Sequence, residues 1–266
     1  MFKELYAYRY LLREIVIKNI KIQYRNSVLG VFWTLLQPLL TTLVLVFIFG
    51  NFFGRNDPML INYPIYLLCG RLLYEFYSQS TKRAMRSITN SASVIKKVKV
   101  PKYIYPLSNI ISNFITFLIS MLVLIGFTVF YFLTGDNPPH VTRYVFLAIV
   151  PLLILFMLCI GVGLILSTMA VFFKDIEYLY EVFCLLLFYA TPIFYTTNQL
   201  NLSKPVALAL MANPMYSIVE MFRDCVLRGE LFNMHHLYYA LGFSLITLLI
   251  GMFVFAKRQD RFILYI

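Results

Sequence analysis

Apolar and polar positions along this 266-residue chain fall into long blocks, not short alternations. Before residue 28 the apolar positions keep helical spacing. Leu5, Tyr8, Leu12, Ile15, Val16 and Ile22 share one side, Lys3, Arg13, Lys21 and Arg25 oppose it, and Arg9 and Lys18 lie nearer the flanks. A helix lying in a membrane interface, cations toward the headgroups, has this pattern; residues 1–28 are therefore read as an interfacial amphipathic helix. Six apolar blocks follow, at 29–53, 63–79, 104–133, 144–173, 178–195 and 237–255. A bilayer crossing takes about 20 apolar residues, so residues 29–266 are expected to form an all-α integral membrane domain with six transmembrane helices. Pro38 would kink the first of these, which membrane helices tolerate.

Two connections are not simple turns. The stretch 80–103 carries Lys82, Arg83, Arg86, Lys96, Lys97, Lys99 and Lys102 and no acidic residue. It reads either as a solvated loop on the positive side of the membrane or as a short helix that docks a partner through the small and apolar residues of 87–95. The stretch 196–236 is too long for a turn and too apolar for a free loop. Residues 206–211 and 217–226 are expected to be short helices broken at Asn213-Pro214, the second capped by Ser217 with Glu220 three residues on. Both are too short to cross, so re-entrant or interfacial helices on the outer side fit them. They form either a structural lid or a gate.

Composition sharpens this picture. The chain is 61% hydrophobic and 13% charged, which excludes an ordinary soluble domain. A formal net charge of +11 would suit nucleic acid, yet the cations follow membrane topology. Of the 23 Lys and Arg, 17 lie on the side of the termini: six before Ser27, seven in 80–103, Lys174, and Lys257, Arg258 and Arg261. Only Arg55, Arg143, Lys204, Arg223 and Arg228 lie opposite, and Arg71 is within a block. That asymmetry makes both termini cytoplasmic and leaves no role for nucleic acid. The mixed charged start of the chain does not read as a cleavable signal peptide.

Catalytic chemistry is thin. No glycine is followed by lysine, so the phosphate-binding P-loop is absent from the chain. His140, His235 and His236 lack metal-ligand spacing, and Cys69, Cys159, Cys184 and Cys225 form neither a disulfide framework nor a zinc pattern. Neither a GxSxG elbow nor paired carboxylates stand within a block. The expectation is a chain with no catalytic, cofactor-binding or metal-binding residues of its own. Arg71 and Glu75 are the one ionisable pair well inside a block. Spaced i, i+4, they either neutralise each other or leave Arg71 to attract an anionic substrate. Trp33, Tyr66, Tyr74, Phe76, Tyr77, Phe188 and Tyr189 exceed what interfacial aromatic belts require. Their ring faces could stack on the apolar faces of sugars passing along them.

With these residues in view, the chain resembles the membrane subunits of bacterial ABC-2-type polysaccharide exporters, the O-antigen, capsule and teichoic-acid group. The likeness covers essentially the whole chain. Leu29, Gly30, Trp33, Leu36 and Pro38 match the family's LG-x-x-W-x-x-L-x-P opening. NSASVIKK (Asn90, Ser91, Ala92, Ser93, Val94, Ile95, Lys96, Lys97) and the following PKYIYP look like its ATPase-docking loop. Phe173-Lys174-Asp175-Ile176 is similar to a second cytoplasmic contact, with Lys174 in place of a more usual Arg and so without a bidentate fork. TPIFY at 191–195, Asn213-Pro214-Met215-Tyr216 and Phe222-Arg223 match the outer region.

The resemblance implies a homodimer in the bacterial inner membrane, working with two separate nucleotide-binding subunits that hold ATP and Mg. The cargo it implies is a polyprenyl-linked glycan. Docking would then fall to 90–97 with Lys174 and Asp175. The substrate path would take Trp33, Tyr66, Arg71, Tyr74, Glu75, Tyr77 and Tyr189, and the outer gate Asn213, Pro214, Tyr216, Glu220 and Arg223. Export of a small lipid or drug, an ATPase-independent carrier or channel, and a glycan-modifying membrane enzyme are the competing classes. The missing acid–base constellation counts against the enzyme, and the missing inverted hydropathy repeat against the carrier.

Overall fold

The computed structural model describes residues 6–25, 27–50, 62–98, 100–135, 138–196 and 210–266, and these are helical with short connections. In chain order the helices are α1 (Arg9–Tyr24), α2 (Trp33–Phe49, entered through a 3-10 turn at Gly30–Phe32), α3 (Tyr63–Asn90), α4 (Ala92–Ile95) and α5 (Ile104–Thr134). There follow α6 (Ile149–Phe172, after a 3-10 turn at Arg143–Ala148), α7 (Ile176–Ala190), α8 (Pro214–Arg223) and α9 (Met234–Arg258). Residues 51–53 of the first apolar block and 206–209 of the first expected outer helix lie outside the described residues.

Among the described residues, four segments are long and apolar enough to cross a membrane: Gly30–Phe49, Ile104–Thr134, Arg143–Phe172 and Met234–Leu264. Two of the six expected spans, at 63–79 and 178–195, do not meet that standard, for different reasons; the first is helical throughout and the second only to Ala190. Helix α3 is too polar, because it does not face lipid. Nineteen of its 28 residues are buried, so the bundle is built round it. Its polar groups are spent on neighbours: Asn113 Nδ2 on α5 donates to Ser80 Oγ at 2.8 Å, and Tyr180 on α7 donates to Thr81 Oγ1 at 2.7 Å. Helix α7 has only 15 residues.

Helix α3 also corrects the reading of 80–103 as a loop. It continues unbroken to Asn90, and Ser80, Thr81, Ala84, Met85, Ser87 and Ile88 are buried. The charges of Lys82, Arg83 and Arg86 hid this apolar stripe, which keeps the helical period. Helix α1 has Val16 buried and rests Tyr8, Leu11, Leu12 and Ile15 on a cluster formed by Ile95, Tyr103, Ile104, Phe255 and Phe262. Ile22, expected on that apolar side, is exposed.

Close packing rests on glycine where α6 meets α9. A Cβ at Gly161 would stand 2.6 Å from the backbone of Thr247 and Leu248, and one at Gly251 would stand 2.4 Å from the Gly161 carbonyl oxygen. Small residues let membrane helices approach this closely. The segment expected on the outer side differs from expectation at its cap. Asn213, not Ser217, caps α8, its Oδ1 accepting from Met215 N at 2.9 Å with Pro214 in the first turn. Ser217 lies a turn inside and meets His236 Nδ1 at 3.1 Å. Helix α8 runs on as one π turn, Asp224–Arg228, closed by Gly229 at φ +66°, where a Cβ would strike the His140 carbonyl.

Gly161→Ala is expected to destabilise the detergent-solubilised protein by about 1–3 kcal/mol through overpacking. Gly126→Ala, on α5 with open space around it, should leave the melting temperature unchanged or raise it. Equal melting of the two variants would deny the α6–α9 contact.

Candidate functional site

The sequence-predicted residues fall into three zones. At the end expected to be cytoplasmic α4 is a single short turn hung from the end of α3 through Ser91. Ile95 is buried and anchors it, while Asn90, Ser93, Val94, Lys96 and Lys97 are exposed and Ser91 and Ala92 are partly covered. The tip thus offers a small apolar knob, Val94, edged by two cations. Lys174 and Asp175, also exposed, form the turn between α6 and α7. Arg86 connects the two places: its Nε donates to Glu177 Oε2 at 2.8 Å and its Nη2 to Glu181 Oε1 at 3.0 Å.

In the middle zone Arg71 Nη2 lies 3.7 Å from Glu75 Oε2, and Gln79 Nε2 donates to Glu75 Oε1 at 3.2 Å. The pairing is loose, and Arg71 Nη1 is buried with no hydrogen-bond partner among the described residues. Beside Glu75 a cavity of about 50 Å³ opens between α1, α2, α3 and α5, lined by Gln23, Gln37, Gln79, Asn113 and Ser120 among others. That is room for a few waters at about 10–15 Å³ each. The path aromatics divide. Trp33 and Tyr189 are exposed, whereas Tyr66, Tyr74 and Tyr77 are buried in the bundle. Tyr66 OH donates to the Tyr195 carbonyl at 2.9 Å, and Tyr74 OH donates to the Cys184 carbonyl. In this conformation those three tyrosines hold helices together.

The zone expected to be outer centres on Arg223, which has no exposed surface. Its Nη1 donates to Pro192 O at 2.8 Å and Glu220 Oε1 at 3.1 Å, and its Nη2 to Tyr66 O at 3.2 Å and Ile193 O at 3.3 Å. The guanidinium carbon lies 3.5 Å from the centroid of the Tyr66 ring. Gly70 makes the space, since a Cβ there would come within 2.7 Å of Nη2. Glu220 Oε2 also accepts from Arg228 Nη1 at 2.9 Å, and Arg228 pairs with Asp224. Burial alone would push the Glu220 carboxyl up; Arg223 and then Arg228 outweigh it and hold its pKa below the usual range. Asn213 Nδ2 donates to Thr191 Oγ1 at 2.9 Å, tying the cap of α8 to the end of α7. Tyr216 is buried, its ring 5.6 Å from that of His236.

Sequence reasoning placed Glu220 and Arg223 in the outer zone without their mutual pairing. It missed Arg86 with Glu177 and Glu181, Gly70, and the amide-lined cavity. The i, i+4 spacing of Glu177 and Glu181 was the one readable sign of the first group. Among the described residues, no cluster of His, Cys, Asp and Glu could hold a metal ion.

Similarity to known proteins extends over most of the chain. It is 28% identical over 260 residues to the O-antigen export system permease protein RfbA of Myxococcus xanthus, covering 98% of this chain and 96% of that protein. An RfbA of Klebsiella pneumoniae is 29% identical over 247 residues, 92% of this chain and 90% of the relative. The polysialic acid transport protein KpsM of Escherichia coli is 25% identical over 245 residues, 92% of each chain. The ABC-2 type transporter family matches residues 10–227, and the chain belongs to that family.

Proposed function

We propose that this chain is the membrane subunit of an ATP-driven exporter that carries a lipid-linked polysaccharide, of the O-antigen, capsule or teichoic-acid type, across the bacterial inner membrane. The end-to-end similarity to O-antigen export permeases carries the proposal. In this reading the chain crosses the membrane six times with both termini cytoplasmic, α3 and α7 being the crossings that hydropathy alone does not pick out. Two copies assemble with two ATPase subunits, which bind ATP and Mg.

The parts then have distinct tasks. The exposed tip at 90–97, with Val94 at its centre, suits a groove on the ATPase, with Lys174 and Asp175 as a second touch. Rigid-body movement of the two copies opens the path, and α8 with its Arg223 network serves as the outer gate. Cations on the cytoplasmic side favour the anionic carrier lipid. The unpaired Arg71 Nη1 suits a phosphate oxygen farther in, and Trp33 and Tyr189 offer ring faces to sugars.

A mild-detergent pull-down of the tagged protein, identified by mass spectrometry, should bring down a P-loop ATPase in near-equal amount; reproducible recovery alone, even after crosslinking, would overturn the exporter reading. Ala92→Asp or Val94→Asp should lower export about tenfold while leaving helix content and ATP hydrolysis by the complex intact. Normal export by both would remove α4 as the docking piece. Arg71→Ala is expected to reduce export several-fold more than it reduces membrane abundance. Equal losses would return Arg71 to a purely structural pairing with Glu75.

A further inference from the structure

Helix α7 is a rod held at both ends by arginines. At its cytoplasmic end Arg86 reaches from α3 to Glu177 and Glu181, one helical turn apart on the same face of α7. Beneath those ion pairs Met85, Leu166, Ala170, Tyr180 and Cys184 form a small apolar cluster of their own, and Tyr180 OH donates to Thr81 Oγ1. At the other end the chain leaves α7 through Thr191 into the carbonyls of Pro192 and Ile193, which accept from Arg223. Between them one face of α7 packs on the bundle, with Tyr74 OH donating to the Cys184 carbonyl and Leu187 and Phe188 on the core, and the opposite face is bare. Tyr178, Leu179, Val182, Leu185, Leu186 and Tyr189 are exposed.

We propose that Arg86 is the positioning residue that makes α4 and α7 move as one piece, so that a push on α4 reaches the carbonyls gripped by Arg223. The geometry fits the task. Arg86 lies four residues before the end of α3, one turn from where α4 hangs. A single exposed ion pair is weak, but one guanidinium shared by two carboxylates through separate nitrogens fixes direction as well as distance. The rod is stiff: its 15 residues rise about 22 Å, and a helix transmits displacement along its axis. Lys82 and Arg83 flank Arg86 in sequence, yet Arg83 turns the other way and donates to Gln23 on α1 at 2.8 Å. The division leaves Arg86 as the basic residue of this turn of α3 that pairs with α7. That a partner pushes α4 rests on the exporter reading above; the clasp itself does not.

The test therefore has one arm without the partner and one with it. Spin labels at Val94→Cys and Val182→Cys, both exposed positions, report the α4–α7 distance in the purified chain in nanodiscs. The four natural cysteines are buried, so each is replaced by Ser or Ala if it labels. Arg86→Gln is expected to broaden the distance distribution, and the swap Arg86→Glu with Glu177→Arg and Glu181→Arg to narrow it again. An unchanged distribution in Arg86→Gln overturns the clasp. So does a broadened one that the swap leaves broad, since simple loss of packing would do that. With the ATPase in proteoliposomes, Arg86→Gln should lower export about tenfold with ATP hydrolysis changed less than about twofold, and the swap should recover most of the loss. Undiminished export in Arg86→Gln, or loss of hydrolysis in step with export, overturns the coupling role. Absence of ATP-driven export in the unaltered protein would instead overturn the exporter reading, with the distance arm still judging the clasp.

Discussion

A guanidinium with no exposed surface must be surrounded by acceptors, and those of Arg223 come from three separate pieces of chain. The Tyr66 carbonyl belongs to α3, those of Pro192 and Ile193 to the segment after α7, and Glu220 to α8 itself. A buried charge left unpaired costs several kcal/mol, so these pieces cannot separate without another partner for the cation. The Tyr66 ring completes the enclosure, and Gly70 is the opening in α3 that admits it. Much of this half of the bundle follows from that requirement. The cap at Asn213 is bonded to Thr191, the residue before the Pro192 carbonyl that this guanidinium holds.

Helix α3 shows the same logic at bundle scale. Its side chains include Ser, Thr, Tyr, Arg and Glu that would be unfavourable against lipid, and most meet another helix instead. Polar contacts of that kind specify which helices are neighbours, because apolar side chains gain little in lipid by choosing one partner over another. Its C-terminal end carries the charges that lie outside the buried stripe. Arg83 turns to α1 and Arg86 to α7, so one turn of helix fastens two different elements.

What was legible in the chain, and what was not, follows from these contacts. Long apolar blocks and the clustering of cations announced a membrane protein, and helical spacing announced α1, because lipid reads the same patterns. The resemblance in LG-x-x-W, NSASVIKK and TPIFY led to the right family. Illegible were relations between distant residues. Nothing local says that Arg223 faces Tyr66, 157 positions earlier, or that Arg86 meets Glu177. The charged block hid the continuation of α3 because net charge was weighed over the period of Ala84, Met85 and Ile88. Ser217 looked like a cap because Ser-x-x-Glu is a capping pattern, yet Asn213-Pro214 supplied a better one four residues earlier, a cap and a helix-starting proline together.

The shortness of α7 is an argument in itself. Fifteen residues rise about 22 Å, less than the roughly 30 Å of a bilayer's apolar core. On the six-span reading the remainder of that crossing is the non-helical segment 191–196. Irregular backbone at such depth is tolerated only where protein satisfies its carbonyls. Here the four central carbonyls are accounted for in turn: Pro192 and Ile193 by Arg223, Phe194 by Tyr63 and Tyr195 by Tyr66. The donors stand on α3 and α8, so this stretch can run through the bundle only where those two helices meet. A fully helical crossing would need none of them, and would have no reason to bury an arginine.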